Sequence, residues 1–305
     1  MIIKLLNLII LMFMPFLMLG VINKTKAFWA GKKGASILQP LYDFIKLLKK
    51  SFVISETTTA IFKIAPIISI SAVFFASLFV PLATGESIIS VPGAIIIFAY
   101  TLGLGKFFSL ISAMDTGSSF EGMGASREAC FTIIVEPAFF IMMASIMVLS
   151  GNYTFESLTL ITQNAGNFGI LITTFAVAVL FMMILTETSR VPVDDPTTHL
   201  ELTMIHEVMI LDNSGLDLAM FTWANAVKML LITSLIANLI IPTSTDLIVS
   251  VVLYLCVAFV TSLLIGTLES ATARVRMSHV FEFIFIMSSL SLVVLTFVVA
   301  KMFGG

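Results

Sequence analysis

The chain has 305 residues, 59% of them hydrophobic and 11% charged, with a formal net charge of −2. Soluble domains carry roughly 25% charged residues, so a chain this poor in charge cannot keep a globular surface in water, and its few dispersed basic residues exclude a nucleic-acid stripe. Cys130 and Cys256 are the two cysteines; with no CxxC and no His/Cys cluster, this chain cannot hold an iron–sulfur cluster or a structural zinc unaided.

Both cysteines lie in apolar stretches and are expected to be buried small residues. The first apolar run, 5–22, is followed by Lys24 and Lys26. The nearby "AFWA" is too bulky for a signal-peptide cleavage site, so the run reads as a retained membrane helix. Next, "LQPLYDFIKLLKK" sets Leu41, Phe44, Ile45 and Leu48 on one helical face and Asp43, Lys46 and Lys50 on another, with Pro40 placed to start the helix. That pattern predicts a helix lying flat at the membrane surface.

Further apolar runs follow at 64–83, 92–112, 130–149, 167–186, 216–241, 247–268 and 280–300. Each is near the ~20 residues a helix needs to cross hydrocarbon. The predicted fold is therefore all-α: one integral membrane domain over 1–305, with about eight transmembrane helices plus the surface amphipathic helix. No internal repeat or inverted half is visible.

Basic residues set the expected orientation. Lys24, Lys26, Lys32, Lys33, Lys46, Lys49, Lys50 and Lys63 fall between the first two spans, and Arg127, Arg190, Arg274 and Arg276 in later odd-numbered loops. Lys4 and Lys301 alone mark the other side. The positive-inside rule then puts the odd loops in the cytoplasm or matrix and both termini outside.

Ionised groups within the spans are the candidates for function, because each costs roughly 2.5–3.5 kcal/mol on insertion scales. Glu136 lies inside the fourth span and Lys228 midway along the sixth, deep enough to favour a functional role. Lys106 lies within the third span and Glu282 near the inner end of the eighth, and snorkelling to the interface explains both equally well. The loop "ETSRVPVDDPTTHLELTMIHEVMILDNSG" crowds Glu187, Asp194, Asp195, Glu201 and Glu207 around Arg190. Crowded carboxylates of low dielectric raise one another's proton affinity and exchange protons near neutral pH. Pro192 and Pro196 prevent a continuous helix there. A solvated loop would explain the charges but not the Leu and Met residues interleaved after His199, which suggest a segment tucked between helices. His199 and His206 share a helical face without a third ligand, so no metal site is expected. The expected ion or proton pathway comprises Glu136, Glu187, Asp194, Asp195, Glu201, Glu207, Lys228 and Glu282.

Three segments together, "LQPLYDFIKLLKK", "GASREACFTIIVEPAFF" and "ETSRVPVDDPTTHLEL", resemble subunit 1 of respiratory complex I and its relatives in membrane-bound energy-converting NiFe hydrogenases. Gln39, Pro40, Asp43 and Lys46 match the first family segment; Gly124, Ala125, Arg127 and Glu136 match the second. Glu187, Thr188, Arg190, Pro192, Asp194, Pro196 and Glu201 match the third. "AMDTGSSFEGMGASREA" and "VEPAFF" are more similar to the formate hydrogenlyase and hydrogenase branch. Thr197 and His199 stand where complex I has glutamates in its quinone-chamber loop, and Asp195 stands where it has an apolar residue.

The resemblance implies a membrane anchor and coupling subunit of a redox complex that moves protons or sodium ions across a prokaryotic cell membrane. It implies a hydrogenase-like large subunit and an iron–sulfur small subunit docked on the cytoplasmic face, with antiporter-like membrane subunits alongside; Arg127, Arg190, Arg274 and Arg276, all on that side and suited to carboxylate pairs, are the expected docking surface. Iron–sulfur clusters and a NiFe centre would belong to those partners, and no redox centre to this chain. The rival readings are a quinone-site subunit of a complex I-type NADH dehydrogenase and a free-standing secondary transporter. The second rival usually shows the inverted repeats missing here.

Overall fold

The structure, a computed structural model, describes residues 2–51, 53–83, 85–151, 154–155, 158, 166–194, 204–242, 246–273, 275 and 277–304. Among these it holds ten α-helices: α1 (Ile2–Trp29), α2 (Gln39–Leu48), α3 (Ala60–Ser77), α4 (Ala94–Asp115), α5 (Ser119–Ser150), α6 (Gly166–Glu187), α7 (His206–Met209), α8 (Gly215–Ile240), α9 (Leu247–Ala271) and α10 (Met277–Gly304). All except α2 and α7 are long and apolar enough to cross a bilayer, which makes eight candidate spans. Helices suit that environment because every backbone N–H and C=O is satisfied within the segment.

The run expected to start at 130 begins at Ser119 instead. Its first turns are polar by composition, yet Glu121, Gly124, Ala125 and Glu128 are buried against neighbouring helices. Hydropathy registers contact with lipid and misses a polar turn enclosed by protein. Conversely, α3 ends at Ser77, short of the predicted 83.

Hydrogen bonds between loops show that the chain alternates from end to end. The Val53 amide donates to Ser214 Oγ, Thr57 Oγ1 to the Thr116 carbonyl and the Val275 amide to the Pro192 carbonyl. The Asp115 carboxylate accepts from the amides of Thr59 and Phe62, fastening the end of α4 to the start of α3. At the opposite end, Asn7 Nδ2 donates to the Glu86 carbonyl and Asn238 Nδ2 to the Pro81 carbonyl. The odd-numbered connections therefore share one end, as the charge pattern required.

Helix α8 is the hub. It packs on α1, α3, α6 and α9, and it is the most enclosed of the spans. Its polar residues are satisfied within the bundle, as with Ser234 Oγ and Tyr254 Oη at 2.7 Å, the interhelical bonding that membrane cores use in place of a hydrophobic drive.

Helix α2 is amphipathic and rests on the bundle, with Phe44 between Phe16 of α1 and Trp223 of α8 at ring-centroid distances of 5.1 and 5.0 Å. The face turned inward is Leu41–Phe44–Leu47. Ile45 and Leu48, expected on that face, are 40% and 45% exposed. Their neighbours decided this, because the rings of Phe16 and Trp223 capture Phe44 and rotate the helix about it. Cys130 and Cys256 are also exposed and not buried as expected. In a membrane span an apolar side chain has no need of a protein interior, since lipid serves as well.

Helix α1 passes the segment before α2 closely at Gly20, where an added Cβ would lie 1.8 Å from the Ile37 carbonyl oxygen. Gly20→Val is expected to unseat residues 37–48 and lower the stability of the detergent-purified protein by at least about 1–3 kcal/mol, the usual range for overpacking. Unchanged thermal unfolding would show that this approach is soft.

Candidate functional site

Beneath the end where the odd loops gather, four spans together with residues 188–194 and 204–210 bring ionisable side chains into one chain. Lys106 of α4 stands between two acids: its Nζ is 3.1 Å from Glu128 Oε1 of α5 and 2.5 Å from Glu187 Oε1 at the end of α6. The other Glu187 oxygen is 3.3 Å from Lys228 Nζ of α8. The other Glu128 oxygen is 3.2 Å from His206 Nε2 of α7, whose Nδ1 is 3.5 Å from Asp194 Oδ2. The side chains of Glu128, Lys106 and Glu187 are each less than a tenth exposed. Charges this deep persist only when paired on more than one side, and here each acid has two cationic neighbours or a cation and the histidine. Thr132, one turn along α5 from Glu128, also accepts from Lys106 Nζ at 3.2 Å.

The local fold explains the placement. Glu187 ends α6; the Thr188 hydroxyl donates to the Ile184 carbonyl, and the Arg190 amide closes onto the Leu185 carbonyl. Ser189 then takes a left-handed conformation (φ 56°) although buried, a strained state for a non-glycine residue, and the chain folds back inward. Fully buried Asp194 holds the return, its Oδ2 accepting the amides of Ile205 and His206 at 3.1 and 2.9 Å.

A second cluster adjoins the first. Glu269 of α9 has a fully buried side chain that pairs with Lys26 of α1 at 2.9 Å and Arg190 at 3.2 Å. Lys106, Glu128, Arg190, His206, Glu207 and Lys228 all face a cavity of about 210 Å³, roomy enough for several waters, to which these side chains offer polar partners. Between α4 and α5, Glu136 and Lys106 both border a groove of about 400 Å³. They also share a smaller pocket with Glu187. Glu136 Oε1 lies 3.7 Å from where a Cβ on Gly103 would sit. Eight residues along α5 put Glu136 about 12 Å deeper than Glu128.

Burial alone would push the His206 imidazole toward its neutral form, but the carboxylates of Glu128 and Asp194 outweigh that and raise its pKa above the usual histidine value.

Of the residues expected in the pathway, the structure joins Glu187, Asp194 and Lys228 in the chain, places Glu207 on the cavity and sets Glu136 beside Lys106. Glu282 is elsewhere: its side chain is 68% exposed and pairs with His279 at 2.9 Å. Asp195 and Glu201 lie outside the described residues, as do Arg274 and Arg276 of the expected docking surface. Arg190, expected on that surface, is buried and turned inward to Glu269. Arg127 is engaged within the chain, Nη1 donating to the Met204 carbonyl at 2.9 Å.

Sequence reasoning missed Glu128, Glu269 and the pairing role of His206, and it left Lys106 open to snorkelling. The signal for Glu128 was available. Glu121 and Glu128 stand seven apart, two turns on one helical face, and both are buried. A helix begun at 130 hides that spacing.

A family model described as NADH dehydrogenase matches residues 2–300. The chain is 28% identical to hydrogenase-4 component C of Escherichia coli (strain K12), over 77% of this chain and 73% of that one. It is 24% identical to formate hydrogenlyase subunit 4 of the same organism, over 86% of both. It is 31% identical to NADH-ubiquinone oxidoreductase chain 1 of Sarcophilus harrisii, over 52% of this chain and 49% of that one. A chain in the structure of the membrane-bound sulfane sulfur reductase, an archaeal respiratory membrane complex, superposes with a TM-score of 0.83 at 16% identity. That superposition covers 98% of this chain and 100% of the other, a likeness of fold.

Proposed function

This chain belongs to the NADH dehydrogenase family, as a subunit 1-type membrane protein, and we propose that it is the membrane anchor and coupling subunit of an ion-translocating redox complex of the hydrogenase-4 and formate hydrogenlyase kind. One observation carries the reading: a continuous series of acid–base contacts of 3.5 Å or less, buried at its three central members, runs from Asp194, among the loops, through His206, Glu128, Lys106 and Glu187 to Lys228 on the central helix. A protonation change at one end alters the field at the next pair, and low dielectric keeps that coupling strong. Glu136 would carry the change deeper.

Under this reading, iron–sulfur and hydrogenase-like subunits dock at the end where the odd loops gather, and they hold the iron–sulfur clusters and any NiFe centre. Antiporter-like subunits lie alongside in the membrane. The host is a prokaryotic cell membrane, with both termini outside. Two of the relatives are named as components of larger enzymes, which supports this over a transporter working alone. A quinone-reducing role would predict quinone reduction sensitive to blockers of the cavity.

Purification of the tagged chain from its native membrane tests the assembly, with co-elution of an iron–sulfur protein as the expected result. A chain that elutes alone would overturn the reading. For topology, with Cys130 and Cys256 replaced, an engineered cysteine at Ser87 should react with an impermeant label from outside and one at Ser119 from inside. The reverse pattern would invert the docking face. Ser119 is exposed and Ser87 half-buried.

A further inference from the structure

Within the buried chain, His206 is the group whose ordinary titration falls nearest neutral pH. It sits on the one-turn helix α7, enclosed, between an acid held by the loop and an acid held by a span. Its surroundings are set by every element around it: Glu128 and Arg127 from α5, Lys106 from α4, Glu187 from α6, Lys228 from α8, Asp194 from the loop and Glu207 beside it on α7. In the contact chain, three carboxylates (Glu128, Glu187 and Asp194) face two ammonium groups (Lys106 and Lys228). The chain therefore holds one excess negative charge when the imidazole is neutral and balances when it is protonated. Neither ring nitrogen makes a well-aligned hydrogen bond, yet each lies within 3.5 Å of a carboxylate oxygen, so a small ring rotation brings either into line.

We propose that His206 is the proton-carrying link between the cavity at the loop end and the buried charge chain in the spans, with Asp194 as its positioning residue. The proposal rests on the coupling function above. Asp194, pinned by two backbone amides, keeps a carboxylate oxygen 3.5 Å from Nδ1. The imidazolium gives its Nε2 proton to Glu128 Oε2, 3.2 Å away, leaving a neutral ring and a neutral acid. A proton taken from the solvent at the loop end, relayed through water in the cavity that both residues border, returns to Nε2 and leaves no hydroxide behind. One proton moves inward and no electrons move. Neutral Glu128 releases its hold on Lys106, which is left to Glu187 alone, so the step propagates along the chain.

The raised pKa fixes the sign of the pH dependence. The charged ring is fully present below the ordinary value of 6.5 and is lost as pH rises through the higher folded value, so pumping should fall on the alkaline side.

The test uses the assembled complex in sealed vesicles. His206→Ala should lower ion pumping at least tenfold while redox activity with artificial electron carriers stays. Added imidazole should restore part of the pumping, and the pH of half-maximal rescue should follow the pKa of the imidazole used. A merely structural histidine would give no such dependence. If the Ala form does not assemble, His206→Asn keeps a polar group of similar reach, and pumping at the wild-type rate by either variant overturns the proposal. So does rescue that ignores the rescuer's pKa, or wild-type pumping that shows no fall on the alkaline side. Glu187→Gln, run in parallel, separates the two levels. Uncoupling there with normal pumping in the His206 variants would sink the histidine link and leave the coupling function standing. Normal pumping in both would remove the coupling function as well.

Discussion

Glu187→Gln should abolish ion pumping by the assembled complex and weaken the membrane subunit itself. The carboxylate accepts from Lys106 through one oxygen and from Lys228 through the other, and it joins three spans by doing so. Glutamine keeps the shape and removes the charge. The two ammonium groups would then face each other in a buried site with Glu128 as their shared counter-charge. Breaking a buried pair by removing one partner costs about 3–5 kcal/mol, enough to lower assembled yield as well as activity. A compensating change tells charge from shape: Glu187→Gln combined with Lys228→Met restores the charge balance and should recover assembly while pumping stays absent. Residues in one network are expected to behave non-additively in this way. Wild-type pumping in the single variant would mean that ions cross by a route that bypasses the chain.

The second large effect is expected at Glu136. The residue is half-buried, two turns deeper along α5 than Glu128, and it shares pockets with Lys106 and Glu187 without pairing to either in the described contacts. That makes it available to take up a proton handed on by the chain. Glu136→Gln should leave assembly and redox activity with artificial carriers intact, because no buried partner loses its counter-charge, and ion uptake into sealed vesicles should fall at least tenfold. Glu282→Gln is the matched control. Its carboxylate faces outward against His279, so pumping should be unchanged. Equal effects of the two substitutions would mean that depth in the membrane, and not contact with the chain, decides which acids matter.

Composition and hydropathy by themselves determined that this is an eight-span helical membrane protein, which spans it has, and which loops share an end. Those properties depend on the transfer of whole segments between water and lipid, and a segment's sum is insensitive to where any one side chain points. The placement of charge along the chain also identified Glu136, Glu187, Asp194 and Lys228 as groups needing a reason. The tertiary structure decided what those charges do. Whether Lys106 snorkels or bridges two acids depends on Glu128 and Glu187, which lie on other helices 22 and 81 positions along the chain. Whether Arg190 docks a partner or anchors the loop depends on Glu269, which hydropathy counts only as an acid near a helix end. His206 had no role in the sequence beyond sharing a helical face with His199, because a sequence shows spacing along one helix, whereas its partners come from α5 and the loop after α6. Electrostatic energy between two groups falls with their separation in space and rises as water is excluded, and both quantities come into being only when the helices pack.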